Sequence, residues 1–212
     1  NNPEWKTVAI DEASDTLVAP RGSAGYRWGE SAKWNLEEKD GEGRAIRLKL
    51  SLAGDGAEIG AVDFPYFGGR ASEHFVSTSH GEILTRNVPI RRVKLSDGSE
   101  VVVATVYDLM LANYGLDRGF GGSHVASSYD EDVPFTPAWA ENITGVKRDA
   151  IITVAREFAT NAEKTNGRSM VILGAGINHW YHMDMTYRGI INLLVFCGAI
   201  GQSGGGWSHY VG

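Results

Sequence analysis

Two glycine-rich loops hold the residue types best suited to chemistry in this sequence. One is GAGINHWYH, Gly174 to His182, and the other is GAIGQSGGGW, Gly198 to Trp207. Consecutive glycines expose backbone N–H groups, which bind phosphate or the edge of an anionic ring. Asn178, Gln202 and Ser203 add donors and acceptors for a polar heterocycle, and Trp180 and Trp207 can cover a flat one. Each feature also has a plain structural explanation. Glycine runs are commonly turns, and Trp180 with Tyr181 could fill a core. His179 and His182 stand three apart, as two ligands on one helical face would. No third ligand has a matching spacing, so no protein-only metal site is expected. His74, His80, His124 and His209 are scattered and read as surface residues. Asn142-Ile143-Thr144 is a formal glycosylation sequon at a helix end, and Asp130-Glu131-Asp132 reads as a solvated loop.

A strand followed by Gly-x-Gly invites comparison with dinucleotide-binding turns. The full fingerprint needs a third glycine or alanine where His179 stands. The second loop lacks Gly-Lys-Ser/Thr and is no P-loop. What remains is a pair of ligand-binding loops of an α/β fold, which such folds place at the carboxyl ends of parallel strands.

The elements that must position these loops differ between the two halves of the chain. In the first hundred residues, RAIRLKLSL alternates apolar and polar like a half-buried strand. PIRRVKLSDGSEVVVATVYDL reads as a hairpin turning at Ser96 to Ser99. Near Thr105 the pattern changes. VYDLMLANYG has helical spacing and stops at Gly115. Thr136 caps a short helix with Pro137 at its first position and Gly145 at its close. A second helix places Ile151, Ile152, Ala155, Phe158 and Ala159 on one side. Met170 to Leu173 is short and wholly apolar, as in a buried parallel strand, and a buried helix over about Met183 to Cys197 follows the glycine turn. This order predicts an α/β fold: a partial doubly wound (Rossmann-like) parallel sheet in residues 106–212, and a β-rich irregular lobe in residues 1–105.

Composition narrows the partners. The net charge of −6 over 212 residues implies no basic surface for nucleic acid. The single cysteine, Cys197, excludes an internal disulfide framework and an iron–sulfur cluster built from this chain alone. A lone buried thiol fits a reducing compartment. Asn1 to Ile10 has no signal-peptide pattern, and the most apolar run, Ile190 to Ile200, is too short to span a bilayer, so no direct membrane insertion is expected. The absence of an initiating Met and an end inside a glycine motif read as a piece of a longer chain.

Taken together, the motifs resemble a known family. TPAWAENITGVKRDAIITVAREFA and GAGINHWYHMDMTYRGIINLLVFCGAIGQSGGGW look like segments of the molybdopterin oxidoreductases. Within that superfamily, NHWYHMDM, GQSGGGWSHYVG, FPYFGG, KWNLE, TVYDLMLANYGL and WKTVAID resemble the catalytic α subunits of membrane-bound respiratory nitrate reductases. The resemblance covers nearly the whole chain.

It implies a molybdenum bis(molybdopterin guanine dinucleotide) cofactor and a 4Fe–4S cluster whose ligands lie outside this chain, as does the aspartate that ligates molybdenum. It further implies nitrate as substrate, an iron–sulfur β subunit and a haem-bearing membrane subunit as partners, and peripheral attachment at the cytoplasmic face of the membrane. By the same resemblance Asn178, His179 and Trp180 face the metal end of the pocket, with His179 favoured over His182 as catalytic residue. Gly201, Gln202, Ser203, Gly204, Gly205, Gly206 and Trp207 would lie along the dinucleotide, with Gly204 and Gly205 bare because the cofactor approaches closely. The chain alone would then be inactive and without cofactor. A non-catalytic structural or subunit-docking module with empty loops is the competing expectation.

Overall fold

The computed structural model describes residues 8–20, 39–40, 42–66 and 82–210. KWNLE, His74, His80 and parts of FPYFGG and WKTVAID lie outside them. The fold is mixed α/β, with antiparallel sheets in the N-terminal part and a parallel pair of strands in the C-terminal half. Two compact units divide the chain. The first comprises residues 1–127 and 133–135, and the second comprises 128–132 and 136–212.

In the first unit β1 (Ala9–Asp11) and β2 (Thr16–Val18) form a small antiparallel hairpin. Asp11 stabilises its turn by accepting from the Ser14 hydroxyl at 2.6 Å and the Ser14 N–H at 3.0 Å. The main sheet runs β3 (Glu58–Tyr66), β4 (Glu82–Lys94) and β5 (Glu100–Val103), all antiparallel. The β4–β5 turn is the expected one. Asp97 accepts from the Ser99 N–H at 2.9 Å, and Gly98 takes φ +86°.

RAIRLKLSL does not form the regular strand its alternation predicts. It makes only isolated bridges, Lys39 to Ala45 and Asp11 to Leu48. Ile46 and Leu52 are buried while Leu50 is 64% exposed. Period-two patterning selects a face, but the ladder also needs a continuous partner strand.

One face of β4 builds the core through Leu84, Arg86 and Val88, all buried. Arg86 takes the place of an apolar residue, and its donors are spent on carbonyl oxygens. Nη1 donates to Ala112 O at 2.8 Å and Asn113 O at 2.7 Å, Nε to Ser123 O at 3.1 Å, and Nη2 to His124 O at 3.2 Å. Burial pushes its guanidinium below its ordinary pKa. The two Nη1 bonds go to the end of α1 (Val106–Asn113), where the helix dipole favours a cation. The change of pattern at Thr105 is therefore a change of element type. The compact unit runs on to Ser127 because Arg86 ties α1 and the loop after it to the sheet.

The second unit opens with α2 (Pro137–Thr144), capped by Thr136, whose hydroxyl accepts from Trp139 N at 3.1 Å. Gly145 closes α2 at φ +73°. The carboxylate of Glu141 accepts from Arg148 N at 2.8 Å at the start of α3 (Arg148–Thr165), which has no capping side chain of its own. The expected apolar side of α3 is partly covered: Ile151, Ile152 and Phe158 are half-buried, while Ala155 and Ala159 are exposed. Next come β6 (Met170–Leu173), the single turn α4 (Ala175–Asn178), α5 (Met183–Phe196) and β7 (Gly206–His209). The strands β6 and β7 pair in parallel, so the segment is one βαβ unit.

Two burial expectations fail here. Leu173 is buried, but Ile172 is 77% exposed and Met170 is also exposed. Alternate residues of a strand point to opposite faces, and no described element of this unit covers one face of the pair. In α5 only Leu194 is fully buried, while Ile191, Leu193, Val195 and Phe196 are exposed. Cys197, which ends α5, is half-buried, and that burial raises its thiol pKa. No helix among the described residues is long and apolar enough to cross a membrane.

Candidate functional site

The register of the parallel pair decides which residues can share a site. Met170 lies opposite Gly206 and Leu173 opposite His209. The turn after β6 therefore stands at the carboxyl edge of the pair. The loop Gly201 to Gly205, which precedes β7, stands at the amino edge. Three strand steps, roughly 10 Å, separate the two. The glycine loops thus do not close around one ring.

At the amino edge the loop packs against the chain itself. Gly205 N donates to Gln202 O at 3.0 Å and Gly206 N to Ser169 O at 3.0 Å. A Cβ on Gly205 would run into the carbonyl oxygen of Gly167 and come within 2.8 Å of that of Ala199. A Cβ on Gly167 would in turn strike the carbonyl oxygen of Gly198. Gly205 is bare because backbone meets backbone there, which replaces the expected explanation by cofactor approach. Gly204 differs. It takes φ +85° and faces open space beside the Arg168 side chain. Gly201 takes φ +79° with nothing nearby. The backbone N–H groups of Gln202, Ser203 and Gly204 donate to no backbone group among the described residues.

At the carboxyl edge, Gly174 leads from β6 into α4, and His179 follows as its last cap at φ −94°. The backbone N–H of His179 donates to Ile177 O, and its side chain is exposed. Trp180 is 76% and Tyr181 86% exposed, so neither fills a core. Tyr181 lies against His182, ring centroids 4.0 Å apart, and His182 takes the left-handed φ of +60° that starts α5. The described residues contain no group of three or more His, Cys, Asp or Glu able to hold a metal ion.

The ordered polar contacts at this edge involve residues the spacing did not single out. Nε2 of His209, the last residue of β7, lies 2.9 Å from Tyr187 Oη and 3.4 Å from Asn178 Oδ1. Trp207 meets the ring of Tyr187 edge-on at 5.0 Å and stacks beside His209 at 6.0 Å with 21° between planes. Asn178 and Trp207 are thus joined by Tyr187 and His209. His179, Trp180, Gln202 and Ser203 are not part of the group. A sequence signal for His209 existed only in its place two residues beyond Trp207, at the end of a strand whose pairing was not visible.

Comparison with known proteins places the chain in a family. The molybdopterin oxidoreductase family model matches residues 29–211. The respiratory nitrate reductase 1 alpha chain of Escherichia coli (strain K12) is 59% identical over 213 residues, covering all of this chain and 17% of that one. The nitrate reductase alpha chain of Bacillus subtilis (strain 168) is 47% identical over 210 residues, covering 99% of this chain and 16% of that one. The perchlorate reductase subunit alpha of Dechloromonas aromatica (strain RCB) is 31% identical over 121 residues, 57% of this chain and 11% of that one. The chain thus spans about a sixth of the length of the nitrate reductase relatives.

Proposed function

Since this chain belongs to the molybdopterin oxidoreductase family, we propose that it forms the central part of a nitrate reductase alpha chain and helps to hold that enzyme's cofactor. The family implies a molybdenum–pterin group. We further assign it as the bis(guanine dinucleotide) form, with a 4Fe–4S cluster held elsewhere in the subunit. An iron–sulfur β subunit and a haem-bearing membrane subunit would supply electrons at the cytoplasmic face of the membrane. The relatives' names, alpha chains of respiratory nitrate reductases, support a complex of several subunits.

One observation carries this function: the polar and aromatic group at the carboxyl edge of β6–β7, where open α/β sheets bind their ligands. The residues fit a flat, polar, partly anionic group. Asn178 keeps its amide N–H₂ for a heterocycle, and Trp180 stands exposed as a cover. Gly201 to Gly204, through an open backbone, are assigned to the far end of an elongated ligand, while Gly205 and Gly206 are held by the chain's own backbone and Trp207 stands with the carboxyl-edge group. Only such a ligand reaches both edges of the pair.

When bound, the molybdenum group would supply oxygen-atom transfer from nitrate, and the residues named here would hold and orient it. Overall, nitrate, two electrons and two protons give nitrite and water. The chain's part is orientation and proton handling. Asn178 donates to the ring edge, and Trp180 keeps water from the face it covers. His179, uncommitted on the turn, is proposed to pass a proton to the oxyanion. Its imidazole can donate at one nitrogen and accept at the other.

The full-length subunit provides the test. It is expected to carry molybdenum by elemental analysis, to release a fluorescent pterin on denaturation and to form nitrite with reduced viologen. His179→Gln is expected to lower turnover on the order of 10²-fold at unchanged molybdenum content. An unchanged rate and pH profile in that variant removes His179 from the chemistry, and a subunit without molybdenum or pterin overturns the whole proposal. The 212-residue chain alone is expected to form no nitrite.

A further inference from the structure

His209, which looks incidental in the sequence, ties three elements together. It closes β7, Asn178 closes α4, and Tyr187 stands in the second turn of α5. Oδ1 of Asn178 only accepts, so the shared nitrogen of His209 carries the proton in this arrangement and Nδ1 is left an acceptor. The hydroxyl of Tyr187 accepts from Nε2–H and keeps its own proton to donate. Asn178 keeps both amide hydrogens. Three donor hydrogens and one acceptor therefore stand together, and no described residue uses them.

Packing alone would not require this chemistry. A phenylalanine at 209 would keep the edge-on contact with Tyr187, now at 5.5 Å, and the stack on Trp207. What the imidazole adds is a fixed direction for two other side chains. A donor already held in place loses less conformational freedom when a ligand arrives.

Resting on the cofactor role above, we propose that His209 is a positioning residue for the pterin ring. By holding Tyr187 and Asn178 it aims their donors at the oxygen and nitrogen acceptors along a heterocycle's edge. His209 acts through its two partners.

The test uses the full-length subunit with two substitutions that divide the side chain's properties. His209→Phe keeps the ring and removes the nitrogen. His209→Gln loses the ring and returns an N–H near the place of Nε2. Molybdenum and pterin content after dialysis, the molybdenum(V) electron paramagnetic resonance signal and the thermal midpoint of cofactor-free subunit are read for each. His209→Phe is expected to retain cofactor on the order of tenfold less well, the scale seen when a ligand-holding group loses its hydrogen-bonding partner. Its resonance signal should change and its cofactor-free midpoint should not. His209→Gln should restore most of the content.

Wild-type content and signal in His209→Phe overturn the proposal. So does a loss in both variants that follows a fall in the cofactor-free midpoint, since that marks packing. If His209→Phe does not fold, Tyr187→Phe removes only the hydroxyl and is read in the same way. A wild-type subunit without molybdenum or pterin overturns the cofactor role, and this proposal with it. Loaded wild type beside a fully loaded, spectroscopically unchanged variant overturns the positioning role alone.

Discussion

At Gly205 the absence of a side chain is a packing requirement between two stretches of backbone. A methyl there meets the carbonyl oxygens of Gly167 and Ala199, and neither can swing aside as a side chain would. Gly205→Ala is expected to lower stability by about 1–3 kcal/mol, as overpacking does. Gly201→Ala, with open space around it, should cost only the strain of a positive φ, about 1–2 kcal/mol. Denaturant titration of the two variants checks the order, and a Gly205→Ala no less stable than the wild type would show that the backbone can yield. At this scale the sequence was legible in part. Asn178 and Trp207 stood out by type and place. Tyr187 and His209 did not, because 31 residues separate His209 from Asn178 and 22 from Tyr187, and only the parallel pairing brings them together.

Elements with local signals match their sequence readings, and so does β6 as a parallel strand, whereas RAIRLKLSL, whose ladder needs a continuous distant partner, forms only isolated bridges. The α2 helix begins just after Thr136, whose cap is legible with Pro137 behind it, whereas the cap that Thr105 gives α1 is marked in the sequence only as a change of pattern. The Asp97-Gly98 turn was equally local. The burial of β6 and α5 was misjudged because apolar composition says what a face prefers, while cover depends on neighbouring elements.

What anchors α1 was also hidden. Asp108 is wholly buried and accepts from Ser51 Oγ and Arg118 Nη1 at 2.6 Å each, and from Leu52 N and Thr105 Oγ1 at 2.8 Å each. Burial alone would raise its pKa, but these four donors together hold it below the usual carboxylate range. Ionisation thus supports folding. The stabilisation is complete above the unfolded pKa of 3.8 and is lost as pH falls through the lower folded value. Asp108→Asn should cost about 3 kcal/mol at neutral pH, since it leaves Arg118 without its anion. The difference from wild type should shrink in acid below that range. Urea midpoints across pH test this, and a pH-independent difference would assign the cost to shape instead of charge.

Across the whole molecule, the compact units follow contacts that the change of sequence pattern did not reveal. Phe135 belongs to the first unit although Thr136 and the helix it caps belong to the second. Its φ of +76°, uncommon for an aromatic residue, goes with edge-on contacts to Tyr66 and Tyr114.

The parallel pair gives the second unit one further property. Among the described residues, β6 has β7 as its only partner strand, and Met170 pairs with a residue 36 positions later. Neither strand can release its amides to solvent while the other keeps them, so both should open as one cooperative event. In native-state hydrogen–deuterium exchange, the amides of 206–210 and those of β6 should share a single opening free energy, and Gly205→Ala should lower both by the same amount. Independent protection of β6 would reveal another strand beside it. Because the pair closes only after the intervening helices are in place, its amides should also be among the last of this unit to gain protection during refolding.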